Sequence, residues 1–174
     1  MTVEEDCIVP HYPNQVPNEA KAIREHIRIS RILLRAFAYA EEGPIKRFID
    51  PNIINHSPHP PSPDDTTKPV SEIEEVELQR QAFPDQHYAE ELIIAEGDMV
   101  YLGWHGTATF TGEVYGHQGT GEYLDVHGAE VLRFKNGKVV EHWDHFTKPR
   151  LEALIDVGTW DDAMIEALRK AGLL

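Results

Sequence analysis

The stretch GAEVLRFKNGKVVEHWDHF, residues 128–146, constrains the fold more than any other part of the chain. Two runs rich in Val, Phe and Trp flank Asn136-Gly137, a strong short-range signal for a β-hairpin. The same runs hold Glu130, His142 and Asp144, although acids are depleted in strands. A three-residue Lys-Asn-Gly loop, with Gly137 left-handed, pairs Phe134 with Lys138, Leu132 with Val140, Glu130 with His142 and Gly128 with Asp144. Opposed residues share a face, so the acids and the imidazole gather between apolar neighbours that include Val126 and Phe146. A two-residue Asn-Gly turn would shift the register by one. It would bring Asp144 beside His127 and Ala129 and part it from Glu130. The first register collects the apolar residues better and is preferred.

Carboxylates crowded into apolar surroundings have raised pKa values, and a second acid nearby raises one of them further. That suits general acid–base catalysis near neutral pH, with Asp144, Glu130 and His142 as the candidate catalytic residues. The plain alternative is a cross-strand ion pair between Glu130 and His142 with Asp144 capping a loop, since structural ion pairs cluster in the same way.

The rest of the chain reads as helices followed by strands. Residues 1–17 carry Pro10, Pro13 and Pro17 without a clear period and read as a surface arm. From Asn18, a plausible N-cap, a long helix runs toward Gly43 as its stop, with Ile23, Ile27, Ile29, Leu33, Leu34 and Phe37 on a wide apolar face. PIKRFID continues as a short second helix. The proline-rich segment Pro51–Ser71 reads as an ordered corner followed by a loop, Pro58–Ser71, able to close a cavity mouth or simply to lie on the surface. Ser71 and Glu74 form a capping box, predicting a third helix from Glu72 to about Ala82 that Pro84 ends. The second half then gives at least four strands with hairpin-length links, one turning at Gly97-Asp98. The class is α+β. The tail is helical again.

Composition narrows the partners. Acids outnumber bases 30 to 16 in 174 residues, for a formal charge of −14, so a nucleic-acid or anionic-membrane surface is disfavoured. Cys7 is the sole cysteine, which rules out an intrachain disulfide or a Cys-rich zinc site. The acidic opening MTVEEDC is unlike a signal peptide, and no run approaches a membrane span, so a cytoplasmic protein is expected. Ten histidines raise the question of metal. His142 and His145 would point to opposite faces of a strand, while His56 and His59 sit in a proline-rich loop, and no metal site is assigned.

In order along the chain, IDPNIINHSP, FPD, AEGD, W-x-G-T-x-T-G and R-F-x-x-G-K-V-V-E-H-W-D resemble the SnoaL-like polyketide cyclase family of the nuclear transport factor 2-like superfamily. The resemblance covers roughly residues 23–151. It implies a cone, a curved antiparallel sheet wrapped around N-terminal helices with a cavity at one end. That gives an arm (1–17), a cone domain (18–150) and an extra C-terminal helix (151–174). It also implies ring closure of polyketide esters by intramolecular aldol condensation, without metal or cofactor, with Asp144 as the acid/base. The family's histidine on the preceding strand falls here on Glu130, or on His127 if the alignment slips. Asn55 and His56 would border the cavity and hold a substrate carbonyl, or merely fix the corner by bonding backbone groups. Trp104 would be cavity wall or core. The expected partner is a carbonyl-containing small molecule, and a homodimer is expected through the outer sheet face. A dehydratase, isomerase or hydrolase on the same fold, or a non-catalytic binding module, is the alternative.

Overall fold

A computed structural model of the chain describes residues 17–56, 71–114 and 117–146. The N-terminal arm up to residue 16, the Pro58–Ser71 loop up to residue 70 and the C-terminal helix lie outside the described residues, and Pro17, expected in the arm, begins the first helix. Three helices, α1 (Pro17–Tyr39), α2 (Glu42–Phe48) and α3 (Glu72–Ala82), pack on one face of a curved, unclosed sheet. Its strands are β1 (Ile49–Asn55), β2 (His87–Glu96), β3 (Met99–Thr109), β6 (Tyr123–Lys135) and β7 (Lys138–Phe146), in the order β1-β7-β6-β3-β2. Two short strands, β4 (Glu113–Val114) and β5 (His117–Gln118), form a separate hairpin. No helix among the described residues is long and apolar enough to cross a membrane.

Helix α1 stops earlier than Gly43. Ala40 takes the left-handed conformation (φ 52°), and the Glu41 N–H returns 2.9 Å to the Ala36 carbonyl. This is the Schellman end, with alanine where glycine is usual. Gln86, buried, donates from Nε2 to the Phe37 and Ala38 carbonyls at 3.1 and 3.0 Å, satisfying the exposed end of the helix from outside. The Ser71 capping box at α3 forms as expected.

The core follows the apolar face of α1. Ile29, Leu33 and Ala36 meet Ile45 and Phe48 of α2, Val100 of β3, Leu132 and Phe134 of β6 and Val139 of β7. Helix α3 packs on α1, α2 and the β4 end, and its neighbours across the sheet leave a cavity.

Two features depart from the sequence reading. IDPNIIN, expected as helix end and irregular corner, is instead strand β1, parallel to β7 on an otherwise antiparallel sheet. As an edge strand β1 tolerates Pro51, and the Asn52 N–H turns back onto Asp50 Oδ1 at 2.9 Å. The β6–β7 loop is also not the three-residue one. Asn136 (φ 53°) and Gly137 (φ 76°) form a two-residue turn, pairing Lys135 with Lys138 and Phe134 with Val139. A bulge then leaves Val140 unpaired, so Arg133 faces Glu141, Leu132 faces His142 and Glu130 faces Asp144.

Candidate functional site

The bulge decides which side chains of β7 point inward. A two-residue turn alone would put Glu141 and Trp143 on the helix side. One extra residue reverses the alternation, so His142 and Asp144 share the inner face with Glu130. The expected cluster therefore forms, with Asp144 rather than His142 directly opposite Glu130.

His142 sits at its centre, only 5% exposed. Its Nε2 lies 2.5 Å from Glu130 Oε2 and 3.3 Å from Asp144 Oδ1. On the other side of the ring, Nδ1 lies 3.3 Å from the Asn55 amide nitrogen and 4.0 Å from Glu72 Oε1. Asn55 donates to that Glu72 oxygen at 2.8 Å. Trp104 donates from Nε1 to Glu130 Oε1 at 2.9 Å. The indole can come this close because its opposite partner is Gly128. A Cβ there would stand 2.5 Å from Trp104 Cζ2.

The electrostatics follow from burial. Desolvation, then the neighbouring Asp144 charge, raises Glu130 from 4.5 to about 8. Burial alone would lower His142. Hydrogen bonds with Asp144 and Glu130 outweigh it and raise the imidazole from 6.5 to about 11. At neutral pH the group is thus an imidazolium beside a protonated Glu130, with Asp144 Oδ1 3.3 Å from the ring. A neutral carboxyl that can donate and a second carboxyl group stand on one cavity wall, an arrangement suited to acid–base chemistry.

The cavity measures about 50 Å³. Glu130, His142, Asp144 and Trp104 form one side, and Leu34 and Phe37 of α1 and Val76 of α3 the apolar other. Glu72, Glu75 and Gln79 of α3 and Tyr88 of β2 complete it. That space suits a few waters. A larger ligand has to enter at the mouth or part the walls.

Trp104 lines the cavity, whereas Asn55 stands behind the His142 ring, bonded to the Glu72 side chain. His56 and His127 are not brought to the cavity. His56 follows Asn55 directly on the chain and turns to the other side of the sheet, stacked on Trp143 (4.3 Å, 4°) and bonded to Glu141 at 3.0 Å. His127 alternates with Glu130's face and lies outside, 2.9 Å from Glu91. Phe146 ends β7 opposite Gly128, and its side chain lies outside the described residues. Glu72 escaped the sequence reading, although its place in the first turn after the Ser71 cap was visible.

The family model for SnoaL-like polyketide cyclases matches residues 27–153. The chain belongs to this family. AclR of Streptomyces galilaeus, a candidate hydroxylase, is 30% identical, with a TM-score of 0.62 over 87% of this chain and 94% of that one. A candidate polyketide cyclase of Acidithiobacillus ferrooxidans is 26% identical, with a TM-score of 0.54 over 69% and 86%. IdmH of Streptomyces antibioticus, a candidate polyketide cyclase at 20% identity and TM-score 0.60 over 75% and 98%, shares the fold. No curated protein matches the sequence. The family cone thus accounts for the helices on a curved sheet.

Proposed function

We propose that this SnoaL-like chain is a cofactor-independent acid–base enzyme that acts on a carbonyl-containing small molecule, closing a ring by intramolecular aldol addition. The observation that carries the reading is the buried Glu130–His142–Asp144 cluster on a cavity wall faced by Leu34, Phe37 and Val76, with Glu72, Glu75 and Gln79 of α3 beside them. Asp144 takes the proton beside one carbonyl. The enolate attacks a second carbonyl of the same molecule, and protonated Glu130 delivers the proton to the alkoxide. His142 holds both carboxyl groups by Nε2 and spreads the charge as the proton moves. Trp104 fixes the other Glu130 oxygen, and Glu72 Oε1, held by the Asn55 amide, stands 4.0 Å behind the ring at Nδ1.

Asp144→Asn tests this. The variant keeps the fold and loses turnover of a diketide or triketide ester that the wild type cyclises, by about a hundredfold or more. Full turnover by the variant removes Asp144 from the chemistry.

AclR, 30% identical, favours a second reading, in which the substrate gains a hydroxyl group, with dioxygen as oxidant and an external two-electron reductant taking the second oxygen atom to water. Product mass separates the two. Aldol addition leaves the mass of the substrate unchanged, whereas hydroxylation adds one oxygen atom.

We also propose a homodimer formed through the outer sheet face. Ile94, Tyr101, Val131 and Trp143 stand opposite one another across β2, β3, β6 and β7, making an apolar row. Ile94 and Tyr101 are 54% and 39% exposed, the kind of patch that marks an interface.

A further inference from the structure

A second constellation of chemistry-bearing side chains lies on the outer face of the sheet, away from the cavity. His105 of β3 and His127 of β6 are direct cross-strand partners, with rings stacked at 4.7 Å and 18°. Asp125 sits two residues before His127 and reaches diagonally to His105, placing Oδ1 2.6 Å from Nε2. One donor atom from each of the three lies within 4.8 Å of the other two. A bulge in β2 between Glu90 and Leu92 sets Glu91 out of the ladder, and its carboxylate meets His127 Nδ1 at 2.9 Å.

We propose that these residues form a binding site for a divalent transition-metal ion of the zinc class, with His105, His127 and Asp125 as ligands and Glu91 as the positioning residue. Two imidazoles and a carboxylate form a donor set suited to zinc, which takes three protein ligands and leaves a fourth position for water. Magnesium and calcium prefer oxygen alone, and the two imidazoles select against them. The bond from His127 Nδ1 to Glu91 directs His127 to ligate through Nε2, the carboxylate–histidine–metal arrangement in which an outer carboxylate fixes the ring. His105 ligates through the Nε2 that already faces Asp125. The backbone positions are fixed by paired strands, so closing the donors to bonding distance needs only side-chain rotation. The four side chains are 33–59% exposed, so an ion can reach them without opening the fold. The chain's charge of −14 draws cations toward it. Bound metal would join β3 to β6, with β2 as support, and stabilise the sheet by mass action.

The test is calorimetric titration of the full chain with zinc after chelator treatment, paralleled by cobalt titration read from the visible spectrum of tetrahedral cobalt. One equivalent should bind, with a rise in melting temperature. Glu91→Gln should weaken binding about tenfold, and the His105→Ala/His127→Ala double variant by about a hundredfold or more. Circular dichroism checks that each variant folds. Among the described residues, Glu130, His142 and Asp144 form the other compact donor group, so His142→Gln is titrated alongside. Absence of zinc binding by the wild type overturns the proposal. So does binding that survives in the double variant, or that is lost only in His142→Gln.

Discussion

Replacing Glu130 with glutamine should stabilise the fold progressively as pH rises while removing the proposed acid. Glu130 is raised from 4.5 to about 8, by burial first and then by Asp144. Between those values the folded carboxyl keeps a proton that the unfolded chain releases. Folding then takes up a proton, so stability falls with rising pH at about 1.4 kcal/mol per pH unit. For a raised pKa, the contribution is whole below pH 4.5 and lost by about pH 8. At pH 7 the wild type has lost on the order of 3 kcal/mol that a residue unable to ionise retains.

Glutamine brings a cost of its own. Trp104 donates to one Glu130 oxygen, and the His142 imidazolium donates to the other. An amide offers only one oxygen, so one donor meets an N–H instead, at about 1–3 kcal/mol. That cost does not depend on pH, so the slope carries the test and the offset does not. His142 loses the raising effect of Glu130 in the variant but keeps that of Asp144, the larger hydrogen-bond cause, so its proton uptake is retained in both proteins. Urea denaturation followed by tryptophan fluorescence from about pH 5 to about pH 8 reads the difference. The variant should gain on the wild type by about 1.4 kcal/mol per pH unit and lose turnover throughout. A flat difference, or one running the other way, would make Glu130 an ionised partner of His142 and refute the reasoning.

Gly128→Ala should cost about 1–3 kcal/mol, because the new Cβ stands 2.5 Å from Trp104 Cζ2 and the indole must leave Glu130. Wild-type stability and an unshifted tryptophan emission would show that nothing holds the indole there. Tyr101→Glu places a charge in the middle of the outer apolar row and should convert a dimer to a monomer in sedimentation equilibrium. An unchanged mass would move the interface elsewhere.

The inner cluster was legible in the sequence although the turn was misjudged. The three-residue loop and the observed two-residue turn with a bulge differ by two residues in register, so both keep Glu130, His142 and Asp144 on one face. The trace of the bulge was Val139-Val140, two apolar residues in a row where alternation asks for one. Strict alternation from the Asn-Gly turn would have turned Glu141 and Trp143 inward. The buried outcome is set by Val139, 1% exposed, which fills the core before the strand resets.

What stayed hidden depends on contacts between distant segments. Strand β1 has little strand propensity of its own, with Asp50, Pro51, Asn52 and Asn55 in seven residues, and exists because β7 offers an open edge. Once it pairs there, Asn55 falls opposite His142 and must face inward, which sends His56 outward to Trp143. Glu72 then meets Asn55 because α3 starts just where its cap allows, with three acids in its first turn. The capping box that announced the helix therefore also delivered a carboxylate to the site. Local rules fixed where that carboxylate begins, and only the parallel edge strand fixed what it touches.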